Sequence, residues 1–363
     1  MKYNSSSMPG PGINKKRGGW VNGLDSIRFV LALIVFLSHL ENPYHDYLVH
    51  SPHLLFRMAG MIWGVLFSGV GSVMAFFIIS GFVIHYPNRD SYPATLPFLI
   101  RRWFRIALPL IVISLIAGKF DQFSAIPIWS LYCELIYYTI YPLLIRIKLS
   151  WTTKFMISFL LSLVIIVLFS PADRLSFIHQ KDLGYNGAYW QLGGFFTWIV
   201  GLPCWLLGVV MAQQIDEDKT AISTRKIYLF RAGVLGAGIL LDVLKFHFFL
   251  SYFFSMNFFA ILLFFWIKNE ILYHRNRPPV HFFEFLGKFS YSLYLCHNVF
   301  VFFIRKTMPV NLYTYFPIII ITILFSYLFY VIVEKPSHLV SRRIAGWVRG
   351  SSFTGNKKLI SEK

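Results

Sequence analysis

The feature that most constrains this chain is an apolar run long enough to approach a full bilayer crossing, and that run recurs. Phe155 to Ser170, Phe248 to Ile267 and Phe316 to Val333 are three examples, each close to the roughly 20 helical residues that a hydrocarbon layer takes. A soluble domain carries nearer a quarter charged residues. Here 56% of residues are hydrophobic and only 14% charged, so the excess apolar surface must face lipid. Period-2 alternation of the kind a membrane barrel needs is absent, which leaves helices as the spanning element.

The expected fold is therefore all-α, a polytopic transmembrane helical bundle of about ten spans. These are placed near 24–42, 61–86, 106–118, 127–145, 155–170, 194–213, 227–244, 248–267, 285–304 and 312–333. A net charge of +18 could signal nucleic acid, but its distribution explains it otherwise. With the N-terminus inside, most Lys and Arg fall in tails and loops on one face of the membrane. That is the positive-inside asymmetry, which puts both termini in the cytoplasm and needs no nucleic-acid partner. The organisation expected is a cytoplasmic tail over 1–23, a transmembrane domain over 24–333 and a cytoplasmic tail over 334–363. The basic Met1 to Arg17 segment lacks a small-residue cleavage site after a short apolar region, so the first apolar run is expected to be retained. Cys133, Cys204 and Cys296 form neither a C-x-x-C pair nor a disulfide framework and read as packing residues. No metal site is expected. Membrane lipids are the evident partner, and oligomeric state is not readable.

Chemistry must then come from polar side chains within the bundle, each of which costs roughly 2.5–3.5 kcal/mol on insertion scales and requires a reason. In the first span Arg28 and His39 lie three helical turns apart on one face, separated by roughly 16 Å. Arg28 has Asp25 at i−3 as a ready partner. The fourth span holds Glu134 at the depth of His39. The carboxylate either orients the imidazole as a general base or bonds to neighbouring tyrosines such as Tyr138. In the ninth span Ser290, Tyr294 and His297 share one face. Arg102 and Arg105 are spaced i,i+3, suited to gripping phosphate. Gly71, Ser80 and Gly81 put small residues in the second span, where another helix or a thin ligand could come close.

These residues form an ordered series that resembles the acyltransferase-3 family of membrane O-acyltransferases. The series is L-D-S-I-R with His39 eleven residues after Arg28, F-F-I-I-S-G-F around Ser80, R-x-x-R at Arg102 and Arg105, W-S-L-Y-C-E-x-x-Y-Y from Trp129 through Glu134, L-G-K-F-S-Y-S-L-Y-L-C-H through Tyr291, Tyr294 and His297, and V-E-K-P-S at Glu334. Any one is weak, while six in order are specific.

The resemblance implies an enzyme that takes acetyl, or a longer acyl group, from a cytoplasmic coenzyme A thioester. The acyl group would esterify a hydroxyl of a surface or exported glycan, such as lipopolysaccharide O-antigen or exopolysaccharide, at the bacterial inner membrane. It also implies His39 as catalytic base, Glu134 as its acidic partner, and Arg102 with Arg105 as donor-binding residues, with Arg28 contacting the donor or serving structure. Glu41, next to His39, keeps a different dyad open. Ser80, Gly81, Trp129, Tyr291, Tyr294 and His297 would line the site, with the pantetheine arm threading past Gly81. Some relatives append an esterase-like domain, and none is expected here. Direct transfer and an acyl-histidine intermediate both remain open. The chief rival is a transporter or flippase of a lipid-linked glycan, for which paired broken helices would be the sign, and none are found.

Overall fold

In the computed structural model residues 21–361 are described, with side chains up to 349 apart from that of Phe123. Most of the 1–23 tail therefore lies outside the described residues, as does the Met1 to Arg17 segment expected to be uncleaved. Fifteen α-helices follow in order. They are α1 Leu24–His39, α2 Pro43–Val49, α3 Leu54–Gly64, α4 Gly69–His85, α5 Thr95–Gly118, α6 Ile128–Leu144, α7 Trp151–Phe169, α8 Pro171–His179, α9 Gly193–Gln214, α10 Thr224–Phe248, α11 Tyr252–His274, α12 His281–Gly287, α13 Ser290–Arg305, α14 Tyr315–Phe329 and α15 Lys335–Ser361. A π turn, Tyr330–Glu334, joins the last two. Among the described residues there is no strand.

Each of the ten expected spans contains a helix, but six stretches of the described residues are long and apolar enough to cross a membrane. The other four fall short for visible reasons. Helices α1, α6 and α13 have 16, 17 and 16 residues, and α5 carries Arg101, Arg102 and Arg105 in its first half. The third expected span, drawn from 106, is thus a 24-residue helix from Thr95, with those arginines inside the helix rather than in the loop before it. The ninth is broken at Lys288–Phe289 into α12 and α13.

Two close approaches set the core. A Cβ built on Gly81 would lie 2.0 Å from the Trp205 carbonyl oxygen, and one on Gly208 would lie 1.8 Å from that of Ile78. Only hydrogen fits there, so α4 and α9 pack backbone to backbone, as small residues in membrane helices permit. At the N-terminus of α1, Glu284 of α12 accepts from Ser26 N at 3.0 Å and Ser26 Oγ at 2.6 Å. The carboxylate thereby satisfies a helix-end N–H, complements the dipole and fixes the start of the helix that carries Arg28 and His39.

A candidate active site in two chambers

Arg28 and His39 open onto two different cavities. The first, about 210 Å³, is lined by Asp25, Arg28, Arg102, Arg105, Ser80, Ser130, Glu134, Tyr138, Tyr291 and Tyr294 among others. The second, about 1410 Å³, is an open vestibule lined by His39, Glu41, Trp129, Trp190, Asp242, Lys245 and Tyr252 among others. Val73 and Tyr294 line both. They form the wall between a cationic chamber and the vestibule.

In the cationic chamber Arg28 bonds to Asp25 at 3.1 Å, the i,i+3 pairing that the sequence offers. Glu134 Oε1 accepts from Ser80 Oγ at 2.7 Å and from the Tyr138 hydroxyl, while Trp205 Nε1 donates to Ser80 Oγ at 3.3 Å. Tyr291 donates to the Ile106 carbonyl at 3.0 Å, tying α13 to α5. Ser130 gives its hydrogen to the Pro127 carbonyl at 3.0 Å, so the Tyr294 hydroxyl, 2.5 Å away, is the donor to Ser130 Oγ. That bond holds the dividing tyrosine in place.

Below these groups, Glu334 sits in the π turn, 1% exposed, and accepts from Ser292 at 2.6 Å. A single π turn inside a helix is costly and often marks a functional position. His338, one turn beyond Glu334 on α15, has its Nε2 3.7 Å from Glu334 Oε1.

On the vestibule side, His39 Nδ1 lies 2.8 Å from the Val35 carbonyl oxygen. A carbonyl can only accept, so Nδ1 carries the hydrogen and the neutral ring keeps its lone pair on Nε2. His297 is arranged alike. Its Nδ1 meets the Leu293 and Tyr294 carbonyls at 3.2 and 2.9 Å, and its buried Nε2 has no partner among the described residues. The two rings lie 5.3 Å apart, centroid to centroid.

The expected partnership between His39 and Glu134 takes a different form. Among the described residues no hydrogen bond joins them. Glu134 bonds to Tyr138 and Ser80 in the cationic chamber, and the ring beside His39 is that of His297. Glu41 forms an ion pair with Arg305, which occupies the alternative acid. Gly81 lines neither cavity, because α9 covers it. Ser80, Tyr291, Tyr294 and Trp129 do line them, with His297 buried behind His39. Among the described residues no group of three or more His, Cys, Asp or Glu is disposed to hold a metal ion.

Three buried acids went unremarked in the sequence, Asp173, Asp242 and Glu270, while Glu334 was named only within the V-E-K-P-S series. The cost of an ionisable group inside a span would have flagged Asp242, and Glu270 explains Arg231. The Arg231 guanidinium donates to both Glu270 oxygens at 2.7 and 2.9 Å, so each charge offsets the other.

A family model described as an acyltransferase domain matches residues 21–331. Three Staphylococcus aureus proteins, from strains COL, MSSA476 and MRSA252, are each 23% identical over 391 residues and carry the name "Putative O-acetyltransferase". The alignments cover 92% of this chain and 59% of those proteins. The chain thus spans less than two thirds of the length of the curated relatives it matches. No solved structure matches it.

Proposed function

The chain belongs to the acyltransferase-3 family, and from that premise we propose that it is a membrane O-acetyltransferase that moves an acyl group from acetyl-CoA to a hydroxyl of a surface or exported glycan. The observation that carries this reading is the pair of chambers meeting at Tyr294 and Val73. Arginines gather on one side and a histidine with a free Nε2 stands on the other, which suits a reaction whose anionic donor and polyol acceptor come from opposite faces. The protein would sit in the bacterial inner membrane as a bundle of about ten spans, with both termini and the arginine chamber cytoplasmic.

Donor phosphates are assigned to Arg28, Arg102 and Arg105, whose guanidinium forks match phosphate oxygens by charge-assisted hydrogen bonds. The pantetheine arm then runs past Glu134 and Ser80 toward Tyr294, rather than past Gly81. At the junction His39 Nε2 takes the proton of the acceptor hydroxyl, and the oxygen attacks the thioester carbonyl. The tetrahedral intermediate collapses with cleavage of the C–S bond, and the leaving thiolate takes the proton from the imidazolium, giving the ester and free coenzyme A. Nδ1 stays bonded to the Val35 carbonyl throughout, which holds the ring in the tautomer that leaves Nε2 basic. Glu134 is assigned to the donor side. Oε1 is occupied by Ser80 and Tyr138, and Oε2 is left for an amide N–H of the pantetheine.

Comparing surface glycans with and without the gene by mass spectrometry tests the assignment. Loss of mass equal to one acetyl group at a defined sugar position is expected, and an unchanged glycan profile would contradict it.

A further inference from the structure

Asp242 is a carboxylate inside a candidate membrane-spanning helix that the transfer chemistry leaves unused. It belongs to α10, is 3% exposed and lines the same vestibule as His39. One of its oxygens is committed: Oδ1 accepts from Ser68 Oγ at 3.0 Å and from the Tyr252 hydroxyl at 2.9 Å. Oδ2 takes no hydrogen bond among the described residues, and it is not one of their sealed, partnerless polar atoms. It is therefore reached from the vestibule. Two hydroxyls from two other elements fix the carboxylate, so Oδ2 stands as a preorganised acceptor on the cavity wall.

The same cavity presents a pair of indoles. Trp129 and Trp190 lie 5.7 Å apart, centroid to centroid, and Trp190 is half exposed. An apolar ring surface in the same cavity as a charged acceptor matches a pyranose ring, which has an apolar C–H face and hydroxyls at its edge. The vestibule, at about 1410 Å³, exceeds the roughly 300–1,000 Å³ of a pocket for a drug-sized molecule, so more than one sugar ring fits.

We propose that Asp242 is an acceptor-positioning residue: its Oδ2 accepts a hydrogen bond from one sugar hydroxyl while Trp129 and Trp190 take a ring face, which leaves another hydroxyl of the same glycan at His39. The proposal rests on the reading of the protein as a glycan O-acetyltransferase.

The test uses the full chain purified in detergent, with maltotetraose, tetraacetylchitotetraose and tetragalacturonate as probes, read by quenching of tryptophan fluorescence. Saturable binding of at least one probe is expected. Asp242→Asn should weaken it about ten- to hundredfold, the range for a hydrogen bond to a charged group. Tyr252→Phe, which frees the carboxylate but keeps its charge, should weaken it by less and serves as the second variant if the first folds poorly. The dissociation constant of coenzyme A on the same preparations reports the fold and the donor side. Wild-type affinity for sugar in both variants, or no saturable binding of any probe by the wild type, overturns the proposal. Failure of coenzyme A to bind the wild type would instead sink the transferase reading, whatever the sugars do.

Discussion

The imidazole of His39 lies against that of His297, with ring centroids 5.3 Å apart, and each ring gives its Nδ1 hydrogen to a backbone carbonyl. Two rings with the same tautomer sit side by side, one accessible and one sealed. On the proposed mechanism His39 turns cationic during transfer; the Val35 carbonyl already bonded to Nδ1 is one negative dipole end beside it, and the lone pair of the adjacent His297 ring would supply a second. His85 is the contrast. It is equally buried, but its nitrogens meet the Tyr141 hydroxyl at 2.9 Å and Gln213 Nε2 at 2.6 Å, so it has no free lone pair to offer.

Replacing His297 with Phe keeps a ring against His39 and removes that lone pair. Turnover is expected to fall about tenfold, the worth of one favourable polar contact, with coenzyme A affinity unchanged. Single-turnover transfer checks this, and a wild-type rate would leave His297 as packing alone.

Glu134→Gln keeps the shape of the side chain and loses its charge on the donor side. Its effect should fall on the Michaelis constant for acetyl-CoA, raised about tenfold, more than on kcat. In the double variant with His39→Ala, donor binding should match that of Glu134→Gln. A collapse of kcat at unchanged donor affinity would restore a direct partnership with His39.

The arginines of α5 make a paired prediction. Arg102→Gln and Arg105→Gln should each raise the acetyl-CoA constant about tenfold or more while the acceptor constant stays put, as lost phosphate contacts require. Steady-state kinetics with each substrate varied in turn decides it.

Gly81→Ala separates packing from passage. Its Cβ would meet the backbone of α9 rather than a flexible side chain, so a loss of about 3 kcal/mol or more is expected from overpacking. The melting temperature should drop, and protein that survives should bind coenzyme A normally. A selective loss of donor binding at unchanged stability would return Gly81 to the donor path.

The helices were legible because lipid imposes one rule on every span, and each of the ten apolar stretches holds helix, though the ninth is split between two. Their ends were less so: α5 begins eleven residues before its apolar run, since arginines sustain a helix without contributing to hydropathy. At the site, Arg28 with Asp25 could be read from i,i+3 spacing because both belong to one helix. The neighbour of His39 could not. Spacing along one helix is readable from sequence, but how helices are placed and rotated against one another is not, and that packing puts Glu134 against Ser80 and His297 beside His39. The same limit hid what Gly81 faces. Asp242 and Glu270 were within reach, because a carboxylate in or beside an apolar run always asks for a partner.

If His39 Nε2 drives transfer from a thioester held in the arginine chamber, loss of the imidazole should abolish turnover without abolishing donor binding. The decisive measurement is free thiol released from acetyl-CoA by purified protein with acceptor glycan present, comparing wild type with His39→Ala. Thiol release is expected from the wild type and a loss of about a hundredfold or more in the variant, with coenzyme A still bound to both. Equal release by the two proteins would contradict that role of His39.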